Sequence, residues 1–256
     1  MRIRKAVLII HGFAGSPYDQ EDFANYLRFE TNYDIYQFTL PGHAGKLKNV
    51  KYEEWIKASE DILNKIIEKK YKRIYLVGHS MGGVIATYLA GKYSKVKKLI
   101  LAAPAFHYLH MEGNKIDLKD SLKSTQKIIK TYGKNEILDR FLKSGFSSAK
   151  EFATLVKEYY DTPKKVTCPT LIIYGTNDDV VPQTSVEYVY DTLSSDIKKI
   201  VYIDKVTHDI FRREKKEKIF EIAKNFLDHY ERGGIYYDWA RSKKSTFWFN
   251  SWLYVS

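Results

Sequence analysis

Cysteine, long apolar runs and acidic residues are all scarce in this sequence. Its 256 residues include a single cysteine, Cys168, which excludes an internal disulfide and a cysteine-based zinc site. No stretch approaches the roughly 20 apolar residues of a membrane-spanning helix. The longest early apolar run, residues 6–10, is interrupted by His11 and Gly12 and is too short for the core of a signal peptide. We therefore expect a protein of the reducing cytosol, and hence a cytoplasmic one.

The shortage of acidic residues gives the chain a net positive charge. There are 42 Lys and Arg residues against 31 Asp and Glu residues, so the formal charge is +11. Such a charge favours anionic partners, and a non-enzymatic nucleic-acid-binding protein is a remote alternative. The basic residues are, however, scattered among acids on several predicted elements, which is typical of a solvated surface. We expect no nucleic-acid partner.

Six short apolar runs predict the strands of an α/β fold. They alternate with helical patterns, and this alternation indicates parallel strands joined by helical crossovers. The predicted fold is a mostly parallel sheet of about six strands with helices on both faces, in which the strands are residues 5–10, 33–39, 73–77, 98–103, 170–174 and 199–203.

The alternation stops between residues 106 and 166. This stretch has three helical patterns, at 118–132, 136–142 and 149–159, and no convincing strand. It follows the end of a predicted strand, where open α/β sheets bind their ligands, so we interpret it as a helical cap. The predicted core is then residues 1–105 together with 167–232.

The last segment, residues 233–256, has a different composition. It is rich in aromatic residues, has few aliphatic ones and shows no clear period. Aromatic residues beside Arg241, Lys243 and Lys244 suit a weak contact with a membrane surface. A lid or an oligomer contact is equally compatible with the segment, and its role and the oligomeric state stay open.

The sequence around Ser80 predicts a nucleophile. Ser80 is preceded by an apolar strand and followed by a helical pattern, and glycines stand two residues before it and two after it, at Gly78 and Gly82. A sharp strand-to-helix turn needs glycines at these places and lifts the central hydroxyl clear of the backbone.

A serine nucleophile needs a base, and the base needs a carboxylate that orients it. In this kind of fold the chain order is serine, acid, histidine. Asp178 follows the fifth predicted strand and His208 follows the sixth, so both lie at the same sheet edge as Ser80. We predict Asp178 and His208 as the acid and the base, with Asp179 as the competitor for the acid.

Two backbone N–H groups must also stabilise the oxyanion of a tetrahedral intermediate. We predict the amide of Met81, directly after the nucleophile, and that of Phe13, in the glycine-rich loop after the first strand. No phosphate-binding, dinucleotide-binding or H-E-x-x-H motif occurs, so we expect neither a cofactor nor a metal.

With these motifs in view, the chain resembles the α/β-hydrolase family, and within it the bacterial carboxylesterases and monoacylglycerol lipases with a small helical cap. The resemblance covers roughly residues 4–230 and includes residues 11–15, 40–43, 78–83, 175–182 and 208–209. It implies the same assignment of Ser80, Asp178 and His208. Thr207 departs from the family pattern, which usually has glycine before the histidine, and the tail has no counterpart.

These observations together predict a serine hydrolase that cleaves small-molecule carboxylic esters through an acyl-enzyme on Ser80. Short- to medium-chain acyl esters or monoacylglycerols are the expected substrates, because a cap would supply an apolar acyl pocket. A thioesterase, a lactonase or a carbon–carbon bond hydrolase would use the same residues and stays an alternative.

Overall fold

The computed structural model describes most of the predicted core and part of the predicted cap. The described residues are 4–43, 50–107, 111–112, 115–116, 146–212, 215–229 and 252–255. The predicted cap helices at 118–132 and 136–142 lie outside them, as do residues 233–251 of the tail.

The described strands form one parallel sheet and a short hairpin. The sheet has seven strands in the order β2-β1-β3-β4-β7-β8-β9, and every neighbouring pair is parallel. The hairpin pairs β5 with β6. The bounds are β1 Lys5–Ile10, β2 Asp34–Gln37, β3 Arg73–His79, β4 Val96–Ala102, β5 Met111–Glu112, β6 Lys115–Ile116, β7 Thr170–Gly175, β8 Lys198–Ile203 and β9 Trp252–Val255.

Six described helices connect and cover these strands. Helix α1 packs with α6, whereas α2 packs with α3 and α4. The bounds are α1 Glu21–Glu30, α2 Tyr52–Glu68, α3 Met81–Lys92, α4 Phe146–Tyr159, α5 Gln183–Thr192 and α6 Lys216–His229, and short 3-10 turns occur at Pro17–Gln20 and Thr162–Lys165.

All six predicted strands are present, and the central ones are nearly continuous buried runs, whereas the edge strand β2 is only partly buried. Residues 6–10 of β1 and all six residues of β7 are buried. A parallel sheet that helices cover on both faces requires this pattern, since neither face of its central strands meets water. The α/β architecture predicted from the sequence is therefore confirmed.

Two expectations about the insertion and the tail need correction. The insertion is not entirely helical, because β5 and β6 form an antiparallel hairpin within it. The tail ends in a strand, Trp252–Val255, which pairs with β8 at the sheet edge and makes seven strands instead of six. Trp, Tyr and Val favour strands, but a run of four residues is too short to show a period.

The sequence predicts a buried stripe of Trp55, Ser59, Ile62 and Ile66 on α2, because these residues step by four, three and four positions. The observed stripe differs from it by one residue. Trp55, Ser59 and Ile66 are buried as expected, but Leu63 takes the place of Ile62, which is half-buried. The indole N–H of Trp55 donates to the carbonyl oxygen of Pro41 at 2.9 Å. This bond fixes the loop after β2 beside the carboxyl ends of the central strands.

Candidate functional site

Ser80 occupies a strained turn between β3 and α3. Its φ of 55° and ψ of −120° lie in a region that non-glycine residues rarely adopt. Three backbone hydrogen bonds hold it there: its N–H donates to Ala102 at 2.9 Å, and its carbonyl accepts from Gly83 at 2.9 Å and from Ala105 at 3.2 Å. The end of β4 thus stabilises the conformation that the predicted nucleophile requires.

Close backbone packing explains two of the predicted glycines near Ser80. A Cβ atom on Gly82 would lie 2.3 Å from the carbonyl oxygen of Ile10, where no side chain fits. A Cβ atom on Gly12 would lie 3.1 Å from the Cβ atom of Ser80. The loop after β1 therefore lies directly against the Ser80 turn.

Alanine at Gly82 is expected to destabilise the fold by more than about 3 kcal/mol, because the backbone of β1 would have to move away from the Ser80 turn. Gly83→Ala, one residue further along α3, is the matched control. Its Cβ atom would lie 3.0 Å from Cα and Cβ of Pro104, a less severe contact than the 2.3 Å at Gly82, and alanine gains about 1 kcal/mol of helix propensity. Urea unfolding measures both variants, and equal losses would contradict this explanation.

His208 and Asp178 form a buried hydrogen-bonded pair. The Nδ1 atom of His208 lies 2.7 Å from Oδ2 of Asp178, and both side chains are excluded from solvent. The other carboxylate oxygen, Oδ1, accepts the N–H groups of Val180 at 2.9 Å and Val181 at 2.8 Å. Asp178, rather than the competing Asp179, is the carboxylate that binds His208.

The charge of Asp178 governs the protonation of His208. Burial of the imidazole alone would lower the pKa of His208, because it removes the cation from water. The adjacent carboxylate of Asp178 outweighs burial and raises the pKa of His208 above its ordinary value, with smaller contributions from Asp209 and Asp179. The imidazole is thus a stronger base than its burial would allow.

One small cavity brings most of the predicted residues together. It has a volume of about 20 Å³, room for roughly one water molecule, and its described lining is Gly12, Phe13, Ala14, Gly15, Asp19, His79, Ser80 and His208. Met81 follows Ser80 as the first residue of α3, where helical N–H groups have no acceptor within the helix. The residues predicted to work together therefore meet at one place.

Three neighbouring histidines contact the segments that form this site. His79 donates its Nε2–H to the carbonyl oxygen of His208 at 2.9 Å. His11 accepts the N–H of Leu40 at Nε2, at 3.0 Å, so its Nδ1 carries the proton that it donates to the carbonyl oxygen of Gly12 at 2.8 Å. His43 lies with its ring 5.2 Å from that of His11. His79 directly precedes Ser80 and His43 follows the second predicted strand, so the sequence predicts both near the site but does not predict these partners.

Two of these histidines, His11 and His79, predict a loss of stability in acid. Burial, reinforced by His43, lowers the pKa of His11 to about 4, and burial, reinforced by His208, lowers that of His79 to about 3. In the unfolded chain both titrate near pH 6.5, so below that pH the unfolded state binds more protons. Their contribution to stability is present above pH 6.5 and is lost as the pH falls.

We expect His11 and His79 together to lower the free energy of unfolding by about 2.7 kcal/mol per pH unit between pH 6 and pH 4.5, since each contributes about 1.4 kcal/mol. His43 and His107, whose pKa values burial also lowers, add to this slope. Urea unfolding at a series of pH values measures this slope. His11→Asn should lower the slope by about 1.4 kcal/mol per pH unit, whereas replacing the exposed His229 by Gln should leave it unchanged. A slope that His11→Asn does not alter would show that other groups cause the acid loss.

The described part of the insertion contacts the site through aromatic stacking. Phe152 of α4 stacks on Phe13, with ring centroids 5.1 Å apart and an interplanar angle of 15°. The carboxylate of Glu151 also accepts hydrogen bonds from Nζ of Lys51 at 2.6 Å and from the backbone N–H of Tyr52 at 3.3 Å. The insertion is thus fixed to the loop that carries Phe13 and to the start of α2.

Thr207 stands at the position where the family that the sequence resembles usually has glycine. Its buried hydroxyl has no hydrogen-bond partner among the described residues.

Among the residues that the structure describes, no group of three or more His, Cys, Asp or Glu side chains could hold a metal ion. None of the described helices is long and apolar enough to cross a bilayer.

A parallel sheet with a strained serine turn and a His–Asp pair at the carboxyl ends of its strands defines the class of α/β-hydrolases. Residues 1–216 match the family described as serine aminopeptidase, S33 (Hydrolase_4). The chain belongs to this family.

Three similar proteins illustrate the relationship. A Mycoplasma pneumoniae protein named as an esterase/lipase is 29% identical over 90% of this chain and 92% of its own length. The carboxylesterase of Bacillus subtilis is 23% identical over 88% of this chain and 92% of its own. The crystal structure of Paleococcus ferrophilus monoacylglycerol lipase superposes with a TM-score of 0.64 at 18% identity, covering 87% of this chain and 93% of that one.

Proposed function

We propose that this protein hydrolyses small carboxylic esters through an acyl-enzyme on Ser80. The observation that carries the proposal is the hydrogen bond between His208 and Asp178 beside the strained serine turn. A base with a fixed tautomer that lines the same cavity as the Ser80 turn supports attack by the serine hydroxyl. The relatives named as a carboxylesterase and as an esterase/lipase support the choice of ester substrates.

The reaction has two halves. Ser80 Oγ attacks the ester carbonyl while His208 Nε2 takes its proton, and Asp178 stabilises the resulting imidazolium through Nδ1–H. The amides of Phe13 and Met81 bind the oxyanion, and each such donor contributes about 3 kcal/mol of transition-state stabilisation. His208 then returns the proton to the departing alcohol. In the second half, His208 activates a water that releases the acid from Ser80.

An aminopeptidase is the second candidate, because the family description names one. Recognition of a free α-amino group needs a negative charge beside the scissile bond. Asp19 is the one carboxylate among the described residues that line the cavity, and it is already paired with Arg212. This pairing favours esters over substrates with a free amino terminus.

Aromatic contacts between the insertion and the loop after β1 support an apolar acyl pocket. Because Phe152 stacks on Phe13, which lines the Ser80 cavity, an acyl chain bound at Ser80 would lie near aromatic side chains. Short- to medium-chain esters and monoacylglycerols are the substrates that fit this surface.

The test is a substrate panel combined with mass spectrometry of the intact protein. We expect hydrolysis of p-nitrophenyl esters and of monoacylglycerols, with an optimum at short to medium chain length, and a transient mass increase equal to one acyl group. Activity on aminoacyl p-nitroanilides alone would support the peptidase. Activity on thioesters, lactones or carbon–carbon substrates without any on simple esters would overturn ester hydrolysis as the function.

A further inference from the structure

Asp19 is a buried carboxylate in the wall of the Ser80 cavity. It lies in the short turn after β1, and its side chain is 7% exposed. One of its oxygens, Oδ2, accepts the N–H of Ser16 at 2.7 Å, while its own N–H donates to the carbonyl oxygen of Ser16 at 3.1 Å. These two bonds close the turn, and they need an acceptor at Asp19 but no charge.

The second oxygen of Asp19 makes a contact that closing the turn does not require. Oδ1 accepts Nη1 of Arg212 at 3.1 Å. Arg212 lies four residues after His208 in the loop that follows β8, and its N–H donates to the carbonyl oxygen of Asp209 at 3.2 Å. The ion pair therefore joins the loop that carries Phe13 to the loop that carries His208.

The charge of Asp19 is a disadvantage for the proposed reaction unless something compensates it. Negative charge develops on the substrate oxygen at the amides of Phe13 and Met81, and Asp19 and Ser80, both buried, line the same small cavity. A bare carboxylate in this wall would repel the oxyanion, because charges act strongly in a medium of low dielectric constant.

We propose that Arg212 is a positioning residue that neutralises Asp19 beside the oxyanion and holds the loops of Phe13 and His208 at a fixed separation. This inference rests on the proposed function, since it concerns the transition state of attack by Ser80. Removing Arg212 takes away the positive charge that this ion pair brings to Asp19, whereas removing the charge of Asp19 takes away the negative charge that Arg212 offsets. The two single changes are therefore unequal.

Two explanations are possible: Arg212 compensates the charge of Asp19, or the pair is only a structural link between the two loops. Four proteins distinguish them: the wild type, Asp19→Asn, Arg212→Gln and the double variant. Asparagine still accepts the N–H of Ser16, and glutamine can still donate to position 19, so mainly the charges change. We expect kcat to fall about 10- to 30-fold in Arg212→Gln with little change in KM, and only about 3-fold in Asp19→Asn. Asp19→Asn should restore most of the activity that Arg212→Gln loses.

If the pair were only a structural link between the two loops, the double variant would be no faster than Arg212→Gln. That result, or equal losses in the two single variants, would overturn the proposal. Arg28→Gln is the matched control, because Arg28 is also paired with a carboxylate, at 3.1 Å from Glu21, but on the exposed surface of α1. It should retain wild-type kinetics. Arg212→Lys should recover part of the activity, since it restores the charge.

The rate of phosphonylation by diisopropyl fluorophosphate gives a readout that does not depend on the natural substrate. Ser80 Oγ forms the bond to phosphorus, fluoride leaves, and the serine proton passes to His208, while negative charge grows on the phosphoryl oxygen. We expect Arg212→Gln to label about 10-fold more slowly than the wild type. A wild type that does not label at all would overturn the proposed function, whereas equal labelling of the two would overturn only the role of Arg212.

Discussion

Alanine at Ser80 is expected to lower kcat/KM for a p-nitrophenyl ester by about 10⁶-fold, to a residual rate that binding and the oxyanion donors alone sustain. The hydroxyl is the atom that bonds to the acyl carbon, and no other residue can supply it. Stability should change little, because the backbone bonds of Ser80 hold its positive φ without help from the side chain.

The measurement compares initial rates of the wild type and Ser80→Ala at matched folded fractions. Ser59→Ala serves as the control, because Ser59 is a buried serine on α2 that donates only to the carbonyl oxygen of Trp55, at 2.7 Å. It should keep wild-type activity. If Ser80→Ala retained more than about 1% of the activity, the nucleophile would have to be sought elsewhere.

Ser80 could be predicted from sequence because every requirement for it is local. The strand before it, the helix after it and the two flanking glycines all lie within about 20 residues, and each is a recognisable pattern. Asp178 and His208 could be predicted for a related reason. Parallel strands bring their carboxyl ends to one edge, so residues that directly follow strands converge even when the chain separates them widely.

Features that depend on contacts between distant segments could not be predicted in this way. The ion pair between Asp19 and Arg212 joins residues 193 positions apart, and nothing in either local sequence indicates the other. The choice between Asp178 and Asp179 likewise depends on the turn after β7, whose N–H groups at Val180 and Val181 bind Asp178.

Short elements were missed because they carry too few residues for a period. The hairpin strands β5 and β6 have two residues each, and β9 has four. A strand of that length is defined by its partner, and the partner of β9, strand β8, is about 50 residues earlier in the chain. The shortness of these strands, rather than their composition, is therefore why the sequence pattern did not predict them.

Asparagine at Asp178 is expected to lower kcat/KM by about 10⁴-fold, through the tautomer of His208. The Oδ1 atom of Asp178 accepts two backbone N–H groups, so the amide oxygen of asparagine should take its place. The NH₂ group then faces Nδ1 of His208 and donates to it, which moves the imidazole proton to Nε2. In that tautomer Nε2 has no lone pair with which to take the proton of Ser80.

Asp179→Asn is the matched control, because it removes the same charge one residue away without touching the hydrogen bond to His208. The charge of Asp179 raises the pKa of His208 less than the charge of Asp178 does. The rate of the Asp179→Asn variant should therefore fall no more than about 3-fold. Initial rates from pH 6 to pH 9 measure both variants. Because asparagine blocks the base by hydrogen bonding as well as by loss of charge, the deficit of Asp178→Asn should persist across this range. A deficit that disappeared at high pH would show that Asp178 acts through its charge alone, and a larger loss in Asp179→Asn would move the acid to that residue.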